Sequence, residues 1–169
     1  MNNTPLLRAM ISYDKDDPKR INHFLKVYQY TQLLCDGEQV DTMTRQNAET
    51  AAIVHDIGIH LSEQKYGSSS GMYQEQEGPA EAEKMLSDLY YADNIIERVC
   101  WLVGHHHTYT NIDAADYQIL VEADFLVNLY EDFPDSDKRK EAAESAYKNI
   151  FRTETGKHLM KEIYTCTFE

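Results

Sequence analysis

The sequence predicts an all-α fold, a single compact bundle of about six or seven helices, and three observations lead to that prediction. Apolar residues recur at the three- and four-residue spacing of a buried helix face along most of the 169-residue chain. Residues that favour helix starts and stops stand at the ends of these segments. No stretch shows the alternation of apolar and polar residues, bounded by hairpin turns, that is typical of a β-strand.

The first two predicted helices occupy the N-terminal third of the chain. One covers about residues 20–36 and is followed by Gly37, since glycine commonly stands just after a helix. The second covers about residues 42–57 and is closed by Gly58. The apolar face of the first helix consists of Phe24, Val27, Tyr28, Thr31 and Leu34.

The remaining elements follow a segment rich in small residues. Residues 66–79 contain three Gly and three Ser, which predicts a long surface loop of the kind that often carries function. Pro79 suits the first turn of the next helix. Asp93 and Asp113 are candidate N-caps of two further helices, the second long and amphipathic. The C-terminal helices are expected within residues 135–165.

Length and composition predict one cytoplasmic domain that covers residues 1–169. A chain of this size has room for a hydrophobic core. We find no secretory signal at the start and no apolar run near the roughly 20 residues that span a bilayer, so no membrane association is expected. Cys35, Cys100 and Cys166 are widely spaced, which indicates reduced thiols rather than a disulfide framework.

The net charge restricts the possible partners. At −13, with an isoelectric point near 4.9, the chain does not favour non-specific binding to nucleic acid or anionic membranes. An anionic substrate would approach such a surface only where the site carries its own positive charge. A divalent metal ion is a compact source of that charge. Nothing in the sequence decides the oligomeric state.

Two adjacent polar residues, His55 and Asp56, directly follow an apolar run. Neighbouring side chains on a helix point about 100° apart, so these two converge only near a helix end or a bend. Gly58 supplies that end. A neutral imidazole and a carboxylate are good ligands for a divalent ion such as Mn, Fe, Co, Ni or Zn.

Further ligands would have to come from other helices. His23 lies on the apolar stripe of the first helix, and a run of three histidines, His105, His106 and His107, ends the fourth. Asp124 has apolar residues on both sides, so it lies on or beside a buried face. An unpaired carboxylate there would cost several kcal/mol, and a metal bond would remove that cost.

Each candidate also has an ordinary structural explanation. His23 alone could be a hydrogen-bonded core histidine, and Asp56 alone could end a helix in solvent. Asp124 could pair with Arg98. Residues 105–107 could be a partly exposed helix end, where imidazolium suits the helix dipole. The order of the candidates along the chain, on separate helices, favours a common site.

The pattern His23, His55-Asp56, Asp124 resembles the HD-domain superfamily of metal-dependent phosphohydrolases. "HDIG" is one of the commoner forms of the central motif of that superfamily. "RINH" is similar to its usual first motif, and "EADFL" is similar to its last. The resemblance covers roughly residues 20–132, most of the chain.

The resemblance implies a metal site. His23, His55, Asp56 and Asp124 would hold one divalent ion, with Mn, Fe, Co, Ni, Zn and Mg as candidates. In dinuclear members of the family, the aspartate that corresponds to Asp56 could bridge to a second ion.

The ligands of a second ion are incomplete by the same resemblance. The expected His-His pair is present within residues 105–107, where it could bind a second metal or phosphate. The intermediate histidine is absent, because Gln74 or Tyr73 stands near its place; Glu75 or Glu77 could substitute. A mononuclear site remains intact, with the histidine run contacting phosphate or water.

The implied function is a hydrolase that acts on a phosphomonoester or phosphoanhydride of a small metabolite or nucleotide. Water would attack phosphorus in line, and Asp56 or a nearby glutamate would orient it. His106 would stabilise the transferring oxygens or protonate the leaving oxygen. Candidate substrate contacts are Arg20, Lys65 and Tyr109.

Two alternatives come from other functional classes. Some HD-type proteins use a di-iron site to oxidise a substrate with O₂, but they usually need the complete histidine set. A non-catalytic domain that holds a metal and senses a nucleotide is the other alternative. The acidic surface and the absence of an appended domain favour a stand-alone enzyme.

Overall fold

The computed structural model describes residues 2–164, and that part of the chain is all-helical. The prediction of an all-α fold is confirmed, although the described residues form nine helices rather than six or seven. The helices are α1 (Thr4–Tyr13), α2 (Pro18–Gly37), α3 (Thr42–Val54), α4 (Ile59–Tyr66), α5 (Gly71–Asp88), α6 (Asp93–Val103), α7 (Ala115–Glu131), α8 (Ser136–Asn149) and α9 (Glu154–Ile163).

Two helices, α1 and α4, were not expected from the sequence. α1 buries Leu6 and Met10 against the core, and their four-residue spacing was a usable signal that sequence reasoning missed. α4 begins at Ile59, immediately after a turn formed by residues 55–58. The helical region therefore bends at Gly58 and continues beyond it.

The prediction of a long surface loop over residues 66–79 is wrong. Only residues 67–70 lie outside helices, and α5 starts at Gly71 and carries Pro79 in its interior. The sequence shows no apolar periodicity here, because the buried residues of α5 that precede Pro79 are polar or small. These residues are Gln74, Glu77 and Gly78.

Neither Asp93 nor Asp113, the two expected helix caps, caps a helix, whereas other aspartates do. Asp41 accepts hydrogen bonds from the backbone N–H groups at the start of α3, and Asp135 does the same for α8. Asp93 is the first residue of α6 rather than its cap. Asp113 does not cap α7, because its carboxylate forms a bidentate ion pair with Arg98.

The packing brings distant parts of the sequence together around three helices. α2, α3 and α7 pack on one another, α6 covers α3, and α5 packs on α6. These helices and α1 enclose the main core, while α7, α8 and α9 enclose a smaller one. The C-terminal end of α3 thus lies between α2, α6 and α7, and the turn that follows it approaches α5.

None of the helices within residues 2–164 combines the length and apolar character that crossing a membrane requires. Cys35 is a buried free thiol and Cys100 a partly buried one, whereas Cys166 lies outside the described residues.

Candidate metal centre

Four of the predicted ligands meet at one point inside the bundle. His23 Nε2 on α2 lies 3.2 Å from Asp124 Oδ1 on α7 and 3.5 Å from Asp56 Oδ2. His55 Nε2 lies 3.5 Å from each of the same two oxygens. The alternative partner of Asp124, Arg98, binds other carboxylates.

The turn at residues 55–58 directs the side chains of His55 and Asp56 toward this point. It is held by backbone hydrogen bonds from Ile57 N–H to the Val54 carbonyl and from Ile59 N–H to the Asp56 carbonyl, each with an N–O distance of 3.0 Å. A Cβ atom at Gly58 would lie 2.7 Å from backbone atoms of α5. Glycine is therefore required here by the close approach of another backbone.

The far sides of the imidazole rings are fixed by hydrogen-bond acceptors. His55 Nδ1 lies 3.0 Å and His106 Nδ1 2.7 Å from the backbone carbonyl three residues earlier. His23 Nδ1 lies 3.0 Å from Glu131 Oε2. Because a carbonyl or carboxylate only accepts, each Nδ1 donates, and in the neutral ring each Nε2 presents a lone pair to the centre.

The donor set fits a divalent cation. His106 Nε2 and Asp124 Oδ1 are buried and have no hydrogen-bond partner among the described residues. The Nε2 atoms of His23 and His55 are 3.2 Å apart, so two lone pairs face each other unless a proton or a cation separates them. Metal–nitrogen and metal–oxygen bonds of about 2.0–2.2 Å place neighbouring ligand atoms at about this spacing.

The electrostatics of the site agree with that conclusion. Burial lowers the pKa of His23, but Asp124 and Asp56 outweigh it and raise the pKa to about 9. The pKa of His55 is also raised, against the effect of its burial, by the same two carboxylates. The pKa values of the carboxyl groups of Asp56 and Asp124 lie below their ordinary range, because the histidines outweigh burial. The site therefore attracts positive charge.

A second group of potential ligands adjoins the first and shares Asp56 with it. Ligand atoms of Asp56, His106 and His107 lie within 4.8 Å of one another. Asp56 Oδ2 faces His23 and His55, whereas its Oδ1 lies 3.4 Å from His106 Nε2. Asp56 thus stands between two histidine pairs.

His107 differs from the other histidines of the site. Burial, together with the neighbouring His106, lowers its pKa to about 4, so its ring is neutral at physiological pH. Its Nε2 lies 3.3 Å from Gln74 Oε1. Gln74 and Tyr73 stand near the place of the missing histidine in the sequence. Gln74 is the one that reaches the site, where its side chain offers an amide instead of an imidazole.

The structure also assigns the register of the histidine run. His106 and His107 face the site, whereas His105 stacks on Trp101 with a centroid distance of 4.2 Å and faces away. Glu75 accepts hydrogen bonds from the His107 backbone N–H and the Thr108 hydroxyl, both at 3.0 Å. Its observed role is to hold the end of the run in position.

Two of the other candidates do not reach the site. Glu77 forms an ion pair with Lys65 at 2.5 Å and accepts a hydrogen bond from the Tyr66 hydroxyl at 2.7 Å. Neither Glu77 nor Lys65 lines the cavity above the ligands. Tyr109 lines an adjacent cavity instead.

A polar cavity of about 450 Å³ opens over the ligand cluster. Arg20 and Lys19 are the basic residues in its wall, as far as the chain is described. Arg20 is held by Glu63, with an N–O distance of 2.6 Å, and by His60 Nδ1 at 3.0 Å. His60 is in turn 2.9 Å from the buried carboxylate of Asp14.

Sequence reasoning missed two residues that support the site, Glu131 behind His23 and His60 behind Arg20. Glu131 stands seven residues after Asp124, two helical turns along the same face, which is a usable signal. His60 stands four residues after Asp56, but the start of α4 that links them was not predicted.

Comparison with known proteins gives one family and one related structure. The model of the HD domain matches residues 20–153. A crystal structure described as a predicted HD superfamily hydrolase, from an uncultured Thermotogales bacterium, has a TM-score of 0.65 and 23% sequence identity. That match covers 98% of this chain and 92% of the other, and at this identity it concerns the fold. No curated protein matches the chain significantly.

Proposed function

The chain belongs to the HD-domain family, and we propose that it is a metal-dependent hydrolase of phosphate esters or anhydrides of a small metabolite or nucleotide. The observation that carries the proposal is the position of Asp56. Its Oδ2 lies 3.5 Å from the Nε2 atoms of His23 and His55, and its Oδ1 lies 3.4 Å from His106 Nε2, beneath a cavity that contains basic side chains.

His23, His55, Asp56 and Asp124 would hold a divalent ion. When bound, such an ion neutralises charge on phosphoryl oxygens and lowers the pKa of water nearby. Glu131 orients His23, and the backbone carbonyl that binds Nδ1 orients His55. Because both rings are fixed, little reorganisation is needed when a ligand enters.

The wall of the polar cavity holds five carboxylates and two basic side chains, so Arg20, Lys19 and a bound cation together would supply the positive charge that an anion needs. Arg20 is held in place by His60 and Glu63, so its guanidinium loses little conformational entropy on binding a phosphate. In the observed contact, Arg20 donates to His60 Nδ1, which leaves His60 Nε2–H to donate to Asp14. This network supports Arg20 as a phosphate contact. Lys65 has no such support.

The geometry changes the role proposed for His106. A general acid needs a proton on the atom that faces the substrate, yet His106 donates from Nδ1 to a carbonyl and presents a bare Nε2. This arrangement supports His106 as an additional ligand, together with His107. Asp56 would accept a hydrogen bond from the attacking water and so orient it.

The test uses protein purified without a chelating tag and then stripped of metal. We expect release of p-nitrophenol from p-nitrophenyl phosphate only after Mn, Fe, Co, Ni, Zn or Mg is added. Asp56→Asn should abolish that release. The matched control is Asp113→Asn, which alters an exposed carboxylate paired with Arg98, and it should keep full activity.

Three results would contradict the proposal: hydrolysis without metal, full hydrolysis by Asp56→Asn, or no hydrolysis of an aryl phosphate or a nucleotide with any of these ions. Oxygen consumption together with a visible iron absorption band would instead support the oxygenase alternative. Stabilisation by a nucleotide without turnover would support the sensor.

A further inference from the structure

A second cavity, of about 420 Å³, adjoins the polar cavity. Three residues, His107, Asn128 and Asp132, line both cavities. The remaining wall comes from α7, α8 and the segments next to them, and it is mainly apolar. We refer to it as the apolar cavity. Each cavity falls in the size range of small-molecule sites.

The two cavities differ in charge. Lys19 and Arg20 line the polar cavity, whereas the described residues around the apolar cavity include no lysine or arginine. A phosphate group would have no cationic side chain to pair with in the apolar cavity, and removing it from water would cost free energy. The apolar cavity therefore suits an uncharged part of a ligand.

The walls of the apolar cavity favour a flat ring. Tyr109 and Phe125 pack edge to face with a centroid distance of 5.0 Å, and Phe133 adds a third aromatic side chain. Aromatic rings bind other rings through stacked or edge-to-face contacts. Aliphatic chains lack the matching quadrupole, so the aromatic wall discriminates in favour of a planar group.

Polar atoms stand at the boundary of the apolar cavity. The side-chain amide of Asn128 makes no hydrogen bond within residues 2–164, although it is only partly exposed. Ser145 and Asn149 lie on the α8 side of the cavity, where Asn149 Nδ2 donates a hydrogen bond to Ser145 Oγ at 3.3 Å. A donor or acceptor on the edge of a bound ring would find partners here.

We propose that the apolar cavity binds a planar aromatic group of the substrate while its phosphate lies over the metal ligands. The substrate is then a phosphate ester of an aromatic or heteroaromatic alcohol or nucleoside. The inference rests on the proposed function, because only that function places a phosphate in the polar cavity.

The first experiment compares 1-naphthyl phosphate with glycerol 3-phosphate as substrates for the metal-loaded enzyme. Ala142→Phe fills the apolar cavity from α8, at a partly buried position. It should raise KM for the naphthyl ester about tenfold and leave kcat/KM for the glycerol ester within twofold. Ser145→Phe, at an exposed position of the same wall, provides a second variant should Ala142→Phe fold poorly.

The matched control is Ala9→Phe. Ala9 is also a partly buried alanine on a helix, but it lines a separate cavity of about 260 Å³ away from the ligands. This variant should leave both esters unchanged. The proposal is overturned when the wild type shows no preference for the naphthyl ester, or when filling the apolar cavity lowers both activities equally.

A second experiment keeps this inference separable from the proposed function. Binding of 1-naphthol to metal-free protein, followed by its fluorescence, requires no catalysis. Binding that disappears in Ala142→Phe and persists in Ala9→Phe supports the apolar cavity even in a protein that hydrolyses no phosphate ester. The enzyme could hydrolyse naphthyl phosphate while Ala142→Phe and Ser145→Phe both still bind naphthol. That result would contradict the inference about the apolar cavity and leave the proposed function intact.

Discussion

Two of the buried carboxylates on helix α7, Glu122 and Asp124, stand two residues apart and have opposite surroundings. Glu122 is 0% and Asp124 3% exposed. Glu122 accepts hydrogen bonds from the backbone N–H groups of Arg152 at 2.6 Å and Thr153 at 2.9 Å. Asp124 faces imidazole nitrogens, and its Oδ1 has no hydrogen-bond partner within the described chain.

The difference shows how burial alone fails to identify a functional acid. The pKa of Glu122 is raised, because burial outweighs the hydrogen bonds that it accepts. The pKa of Asp124 is lowered, because two histidines outweigh burial. Surrounding N–H donors make a carboxylate a structural anchor, whereas surrounding lone pairs make it a ligand that needs a cation.

Removal of Asp124 should have the largest effect. Asp124→Ala deletes one of four ligands, so we expect the dissociation constant of the divalent ion to rise about 1000-fold. Isothermal titration of metal-free protein measures it. Glu122→Gln is the matched control on the same helix, and its metal affinity should stay within twofold of wild type. Equal losses in the two variants would remove the distinction between them.

Removal of Glu122 should instead affect folding. Glu122→Ala leaves two backbone N–H groups of the segment between α8 and α9 without partners, and we expect a loss of about 4 kcal/mol in the free energy of unfolding. Urea unfolding followed by circular dichroism measures the loss. Glu122→Gln keeps one acceptor oxygen and should lose less. A wild-type midpoint for Glu122→Ala would show that Glu122 is not an anchor.

The free energy of unfolding of the metal-free protein should depend on pH in a way that that of the metal-loaded protein does not. The pKa of His23 is about 9 in the folded protein, above the ordinary value of 6.5. A raised folded-state pKa contributes stability that is complete below pH 6.5 and is lost as the pH rises through 9. The contribution is up to about 3 kcal/mol.

Unfolding experiments at pH 6, 7.5 and 9.5 check this dependence, first with a chelator and then with a saturating ion. The metal-free form should weaken steadily across that range, and the loaded form should not show this loss, because the ion replaces the proton. Parallel behaviour of the two forms would contradict the assignment of His23.

Loss of Glu131 should have the smallest effect. Glu131→Ala removes the acceptor that orients His23, and we expect metal affinity to fall about tenfold. Lys26 pairs with the other oxygen of Glu131, but its side chain is half exposed, so Lys26→Ala should change metal affinity by less than twofold. Titrations of the two variants decide whether Glu131 acts on the ring or only through a surface ion pair.

More of the chemistry of the site than of its surroundings could be predicted from the sequence. His55 and Asp56 follow an apolar run and precede a glycine, and this local pattern indicates a bend that carries two ligands. Asp124 stands in an apolar segment, so its burial was predictable as well. The structure brings these residues and His23 together.

The remaining features depend on contacts that no local pattern contains. The N-terminal half of α5 buries Gln74 and Glu77, so its helical period was not visible as an apolar one. Which histidines of residues 105–107 face the site is decided by the stacking of His105 on Trp101. Glu122 and Asp124 look alike in sequence, and only the N–H groups of the segment between α8 and α9 distinguish them.

Metal analysis of protein purified without a chelating tag tests the central claim most directly. The wild type, after exposure to Mn, Fe, Co, Ni, Zn or Mg and removal of the excess, should retain at least one equivalent of ion. His23→Ala and Asp124→Ala should retain almost none, and Glu122→Gln should match the wild type. A wild type that holds no ion, or ligand variants that hold as much as the wild type, would contradict the account.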